Sequence, residues 1–201
     1  MANGVAADGS GRVRQYCSGA IAPGGQVPLP ATTSNAGTLS HDDLPAGTLD
    51  PTSAGSLPVD PIQLTSVLPA RSGDPACASS NAATSACLVQ GTVGLYSQYL
   101  VDGPLASALG SALADTGAAT ELGDVTDRIG RKGVGIAVPD RSQDSTMVLV
   151  GAVDSGRLLE ADTITLASAA TDATKPSVTA FTAIALAAGV PAIGALPSAQ
   201  P

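Results

Sequence analysis

The sequence predicts a mainly β fold: a small antiparallel barrel or sandwich with one short helix and a long extended N-terminal arm. Two observations support this prediction. Between residues 133 and 166, short apolar runs rich in β-branched residues alternate with polar turns, at the spacing of about ten residues that is typical of antiparallel strands. The 201 residues also include 23 glycines and 15 prolines, an excess that favours turns and extended connections over long helices.

The strand predictions depend on apolar runs that end at turn residues. The first run ends at Pro139, the second ends at Asp154, and the third follows Asp162. Alternation of apolar and polar residues adds three further stretches. The predicted strands cover residues 62–67, 88–101 (one strand, or a hairpin through Gly91 or Gly94), 134–138, 147–153, 163–166 and 177–186.

One segment has the periodicity of a helix. Leu105, Leu109 and Leu113 recur at positions i, i+4 and i+8, which places them on one face of a helix. Gly117 is the expected end of this segment, because glycine commonly follows the last helical turn.

These elements divide the chain into three parts. Residues 1–75 form an extended arm or stalk rich in Ala, Gly and Pro, residues 76–87 form a cysteine loop, and residues 88–201 form a β-rich globular domain. Aromatic residues make up only 2% of the chain, so its own core is thin and subunit association would add buried area. We therefore expect a homo-oligomer or a component of a larger assembly.

The balance of acidic and basic residues indicates which kinds of partner to expect. With 9 basic and 17 acidic residues, the net charge is −8, which argues against nucleic-acid binding by phosphate neutralisation. Arg128, Arg131 and Lys132 are expected to form a solvated turn. No apolar segment of about 18 residues suggests a membrane span. Residues 178–196 come closest, but they are rich in Ala and Gly, and a packed strand or small helix is expected there. The start of the chain lacks the pattern of a signal peptide, so we expect synthesis without Sec export or loss of a leader.

Three cysteines leave two interpretations open. Cys77 and Cys87 enclose a loop rich in Ser, Ala and Asn, and they can form a disulfide bond in an oxidising environment, with Cys17 left over. In a reducing cytosol, all three are plain small side chains.

The candidate catalytic residues are scattered. Asp115-Thr-Gly and Asp154-Ser-Gly match the tripeptide of aspartic proteases, which pair two carboxylates, but they lie too close in the sequence for two lobes, and turns are expected instead. Ser97 lacks the second glycine of a nucleophile elbow. The single histidine, His41, lies beside two aspartates in a region of low complexity and is expected in a solvated turn. No catalytic residue is assigned.

Metal and cofactor sites are equally weak in the sequence. Carboxylate-only calcium binding is open for Asp124 with Asp127, or for Asp140 with Asp144, although no 12-residue calcium loop is present. The glycines of residues 130–135 do not have the spacing of a phosphate-binding loop, so a turn is expected there. We expect no cofactor and no metal.

The run Gly-Val-Gly-Ile-Ala-Val-Pro-Asp-Arg-Ser-Gln-Asp-Ser-Thr-Met-Val-Leu-Val-Gly-Ala-Val-Asp-Ser-Gly, which begins at Gly133, resembles the core of tailed-phage capsid decoration proteins over about residues 133–166. In that family a Val-Gly-Ile-Ala strand, a polar turn, an apolar strand and a Gly-containing turn build a compact β fold. The resemblance implies a non-enzymatic cement protein of the virion that stabilises contacts between neighbouring capsid subunits. It also implies the major capsid protein as partner, a trimeric state and a location on the capsid surface.

Two alternatives remain open. The first is a secreted bacterial binding module with a Cys77–Cys87 disulfide and a Pro/Thr-rich stalk. The second is an aspartic hydrolase that uses Asp115 and Asp154.

Overall fold

A computed structural model describes residues 2–5, 11–16, 38–45, 56–79, 85–99, 101, 103–165 and 176–184 of the chain. Within these residues, the helices are short: α1 (Pro61–Val67), α2 (Pro75–Ser79), α3 (Ser85–Gln98) and α4 (Gly103–Ala114), with a 3-10 turn at Pro69–Arg71. The strands are β1 (Ala2–Val5), β2 (Gly11–Tyr16), β3 (Thr38–Leu44), β4 (Thr120–Thr126), β5 (Lys132–Asp140), β6 (Ser145–Gly151), β7 (Leu158–Thr165) and β8 (Ser177–Ala183).

The fold is mainly β, as predicted. Strands β4 to β8 form one five-stranded antiparallel sheet in which the spatial order follows the sequence. Strands β1 to β3 pair with one another in a separate three-stranded antiparallel sheet. The predicted extended N-terminal arm falls partly on these strands and partly outside the described residues, and the three-part division of the chain stays a prediction.

The structure contains more helix than the one short helix predicted. Residues 62–67, expected to be a strand, belong to α1. Asp60 caps this helix, because its Oδ1 accepts hydrogen bonds from the backbone N–H groups of Ile62 (2.8 Å) and Gln63 (3.0 Å), and Pro61 supplies the preset backbone angle of a first helical residue. The local signal for a helix start was therefore stronger than the short alternation.

Residues 88–98 also form a helix, α3, where the sequence predicted a strand or hairpin. Leu88, Thr92 and Leu95 are all buried, and their spacing of four and three residues is helical. The hydroxyl of Thr92 donates to the carbonyl of Leu88 (2.8 Å) and so satisfies itself inside the helix. The strand prediction for this segment depends on alternation of apolar and polar residues and is wrong.

The predicted Leu-striped helix is present as α4. Leu105, Leu109 and Leu113 are 3%, 1% and 4% exposed, so the stripe faces the core. The helix ends at Ala114, and Gly117 follows with φ +65°, a conformation that glycine adopts without strain.

The five-stranded sheet buries one face against the helices. Side chains alternate between the two faces of a strand. Val138, Met147, Leu149 and Ala161 belong to the same buried apolar cluster as the residues of α1, α3 and α4. The residues between them therefore point to the opposite face. That face carries the charged groups described below.

Gly91 allows the closest approach between helix and turn. A Cβ atom at this position would overlap the carbonyl oxygen of Leu68 and lie 2.9 Å from its carbonyl carbon. Because backbone atoms are harder to displace than a flexible side chain, we expect Gly91→Ala to lower the free energy of unfolding by about 1–3 kcal/mol, measured by urea denaturation.

Gly110→Ala is the matched control for this prediction. Gly110 is exposed in α4, and no atom lies within 4 Å of a Cβ built there. Alanine should stabilise the helix at this position by about 0.5–1 kcal/mol. Equal effects of the two substitutions would contradict the assigned packing of α3.

Candidate functional site

Five charged residues meet on the face of the sheet that the helices do not cover. Asp127, Arg128 and Arg131 lie in the turn between β4 and β5, while Glu160 and Asp162 lie on β7. We call this group the charged cluster. Four of its members are almost fully buried, with exposed fractions of 2% for Asp127, 3% for Arg128, 3% for Glu160 and 8% for Asp162.

The register of the sheet explains how the β7 carboxylates reach this face. Ala161 points into the helix-side core, so its neighbours Glu160 and Asp162 point the other way. Phe181 on β8 pairs with Asp162 across the strands and therefore lies on the same face. The two carboxylates and the Phe181 ring therefore lie together on this face of the sheet, where Arg128 contacts all three.

Arg128 is the centre of the charged cluster. Its Nε lies 3.1 Å from Oδ1 of Asp162 and 3.3 Å from Oε1 of Glu160, and its Nη2 pairs with the other oxygen of Asp162. Its backbone N–H donates to Oε2 of Glu160 (2.7 Å). The guanidinium carbon lies 5.6 Å from the centroid of the Phe181 ring, within cation–π range. One arginine therefore connects the turn to both β7 and β8.

Asp127 and Arg131 fix the shape of the turn. The carboxylate of Asp127 accepts hydrogen bonds from the backbone N–H of Ile129 (3.1 Å), the backbone N–H of Arg131 (2.7 Å) and Nε of Arg131 (2.6 Å). Arg131 also donates to the carbonyl oxygens of Leu159 (2.9 Å) and Ile184 (2.6 Å). The turn is thereby attached to the start of β7 and to the residue that follows β8.

Burial dominates the electrostatics of the charged cluster. It raises the pKa of Glu160 to about 7, with the negative charges of Asp162 and Asp127 acting in the same direction and Arg128 opposing them. The hydrogen bond with Asp162 raises the pKa of Arg128 above its ordinary value. Near neutral pH, Glu160 therefore exists in both protonation states, while Arg128 stays charged.

The contacts of the charged cluster are those of a structural network. The oxygens of Glu160 and Asp162 are engaged by Arg128, and those of Asp127 by the turn itself. Buried charges require such partners, because an unpaired one is costly. The arrangement binds the turn to the sheet and can take up or release one proton at Glu160.

The expectation of a solvated turn at residues 128–132 is correct about the turn and wrong about the exposure of its two arginines. The residues form a turn, but Arg128 is buried and Arg131 is partly buried, while Lys132 is exposed. The correction has a physical reason, since both guanidinium groups find carboxylates on the sheet or in the turn. The sequence contains one signal for this: Glu160 and Asp162 lie at alternate positions of one strand, on either side of the apolar Ala161.

The residues of the aspartic hydrolase hypothesis lie in different elements. Asp115 is exposed just after α4, and Asp154 is exposed in the turn between β6 and β7, where its Oδ1 accepts a hydrogen bond from the hydroxyl of Ser155 (3.0 Å). Ser97 lies in α3, and its hydroxyl donates to the carbonyl of Val93. His41 is in β3 opposite Arg14, and its side chain lies outside the described residues.

The calcium candidates lie on β4 and β5 or in the turns that follow these strands. Asp124 is exposed on β4, and Asp127 is held by Arg131. Asp140 accepts hydrogen bonds from the N–H and hydroxyl of Ser142, and Asp144 is exposed in the same turn. Within the described ranges, no group of three or more His, Cys, Asp or Glu residues is placed to hold a metal ion. The glycines of residues 130–135 lie in the β4–β5 turn and in β5.

Cys77 and Cys87 are joined by a disulfide bond that connects α2 to α3, with their Cα atoms 5.5 Å apart. Both side chains are buried, 4% and 6% exposed. This is the pair that the sequence analysis named, and Cys17 lies outside the described residues. The bond attaches α2, a single short turn of helix, to α3, the longest of the described helices.

The helices that are described are too short or too polar for any of them to cross a membrane. Comparison with known proteins finds no matching family model, no matching curated protein and no matching solved structure.

Proposed function

We propose that this chain is a non-enzymatic structural or binding domain that works in an oxidising compartment, outside the cytoplasm or on an extracellular surface. The observation that carries the proposal is the buried disulfide between Cys77 and Cys87. Disulfides persist in secreted proteins, in the bacterial periplasm and at virion or cell surfaces, whereas cytosolic thiols are kept reduced. This is the environment expected for the secreted binding module.

The use of charge in the fold supports a structural role. Arg128 in the turn pairs with Glu160 and Asp162 on β7, and Asp127 shapes that turn. In an enzyme, carboxylates of perturbed pKa face a substrate cleft. In this chain they connect three segments of one sheet, which is the work of a stable scaffold.

The redox state of the native protein tests the proposal. Residues 72–128 form a single tryptic peptide that contains both cysteines of the pair, and residues 15–71 form another that contains Cys17. In protein alkylated without reductant, we expect peptide 72–128 to carry no label and to weigh two hydrogens less than its reduced form. Mass spectrometry makes this measurement.

Peptide 15–71 provides the internal control for labelling, because its one cysteine has no partner in a chain whose other two cysteines are bonded. Full labelling of Cys77 and Cys87 in protein taken directly from its host would contradict the proposal. The same measurement on reduced protein, in which both peptides should be labelled, shows that the buried thiols become accessible.

A capsid decoration protein is the second candidate function. The order of strand, polar turn, apolar strand and Gly-containing turn in residues 133–165, where β5, β6 and β7 lie, supports this candidate. A virion surface is also an oxidising location. Under this proposal the partner is the major capsid protein. Co-sedimentation of the chain with intact capsids supports this candidate, and its recovery as a free exported protein supports the first.

A further inference from the structure

Among the described residues, the network that holds the β4–β5 turn on the sheet has an odd number of charges. With every group ionised, the charged cluster contains three carboxylates, Asp127, Glu160 and Asp162, against two guanidinium groups. Within a buried site, one uncompensated negative charge is unfavourable. Protonation of a single carboxyl balances the charged cluster without breaking the Arg128 contact to Asp162.

Glu160 is the carboxyl placed to take that proton. It faces Arg128 and Asp127 from the turn and Asp162 from its own strand, and burial raises its pKa to about 7. Its cross-strand neighbours are Val150 on β6 and Ala183 on β8, so among the described residues neither adjacent strand supplies a charge opposite it. The other two carboxylates receive more direct hydrogen bonds from the guanidinium groups.

The contacts of the turn explain how ionisation of Glu160 can affect the attachment of the whole turn. Arg128 reaches Glu160, Asp162 and Phe181, and Arg131 reaches Leu159 and Ile184. These contacts are all long-range in the sequence, and both arginines belong to the same short turn. A weaker contact between Arg128 and Glu160 therefore loosens the attachment of the turn to both β7 and β8.

We propose that residues 127–131 form a proton-controlled latch, which is closed on β7 and β8 while Glu160 carries a proton and loosens when Glu160 ionises. The latch goes beyond the proposed function, because it concerns motion within the sheet and holds whether or not the protein is exported. Opening of the latch removes Arg128 from the ring of Phe181.

The direction of the pH effect follows from proton linkage. When the turn is open, the Glu160 carboxyl on β7 is exposed and has its ordinary pKa near 4.5. When the turn is closed, the pKa of Glu160 is about 7. The closed state therefore binds more protons between these values, and rising pH favours opening. From pH 5 to pH 8, the opening equilibrium constant should increase on the order of fifty-fold.

Amide hydrogen exchange of the full chain measures this opening. The N–H group of Arg128 is bonded to Glu160 on β7 in the closed latch. After correction for intrinsic exchange, its protection factor should fall by about the expected fifty-fold between pH 5 and pH 8. Amides of α4, far from the charged cluster in the sequence, should keep pH-independent protection.

Glu160→Gln removes the titrating group and should flatten the pH profile of exchange at the Arg128 amide. Glu121→Gln, which changes an exposed carboxyl on β4, should keep the profile of the parent protein. If Glu160→Gln fails to fold, carbon NMR titration of the Glu160 carboxyl in the parent chain decides the matter. Titration below pH 5, or equal pH dependence in Glu160→Gln and the parent, would overturn the proposal.

Discussion

Replacing Arg128 by methionine should lower the free energy of unfolding by about 3–5 kcal/mol at neutral pH. Arg128 is 3% exposed, and its guanidinium group and backbone N–H engage both Glu160 and Asp162. Methionine retains much of the apolar stem but leaves two carboxylates buried without a cation. Urea denaturation at pH 7 measures the change in midpoint and slope.

Two further variants separate charge from packing in this prediction. Addition of Glu160→Gln and Asp162→Asn to Arg128→Met removes the unpaired charges, so the triple variant should recover more than half of the lost stability. Arg141→Ala, an exposed arginine in the β5–β6 turn, should change stability by less than about 0.5 kcal/mol. A loss below about 1 kcal/mol for Arg128→Met would show that the charged cluster does not hold the turn.

The sequence predicted the elements whose signals are local. Strands β5 and β6 lie in the apolar runs that end near Pro139 and Asp154, and α4 carries the leucine stripe. Strand β4 was missed, because it is an edge strand whose side chains are mostly exposed and polar, so no apolar alternation marks it. Helix α3 depends on tertiary packing. Gly91 leaves room for the backbone of Leu68, and the composition of the segment does not predict this contact.

The charged cluster could not be predicted from local sequence patterns, for a different reason. Arg128 and its carboxylate partners are 32 and 34 residues apart in the sequence, and they meet only because the β4–β5 turn folds over the face of β7. Arg128 and Arg131 were therefore assigned to solvent. Buried charges in a strand such as β7 require a counter-charge, so Glu160 and Asp162 predict that a cation exists without identifying it.

Loss of the Cys77–Cys87 disulfide should lower the free energy of unfolding by about 3 kcal/mol, in the chain-entropy treatment of a cross-link between residues 10 apart. The local consequence should be concentrated in α2. This helix has five residues, too few to be stable without tertiary attachment. Urea denaturation of a Cys77→Ala/Cys87→Ala variant measures the cost.

A reductant distinguishes the bond from the two side chains. Cys17→Ser keeps the bonded pair, so this variant should lose about 3 kcal/mol when reductant is added, whereas the Cys77→Ala/Cys87→Ala variant should not respond. Unchanged stability of Cys17→Ser under reducing conditions would contradict a stabilising disulfide. If the response is as expected, the folded chain is most stable where thiols are oxidised, which connects its stability to the compartment proposed for its function.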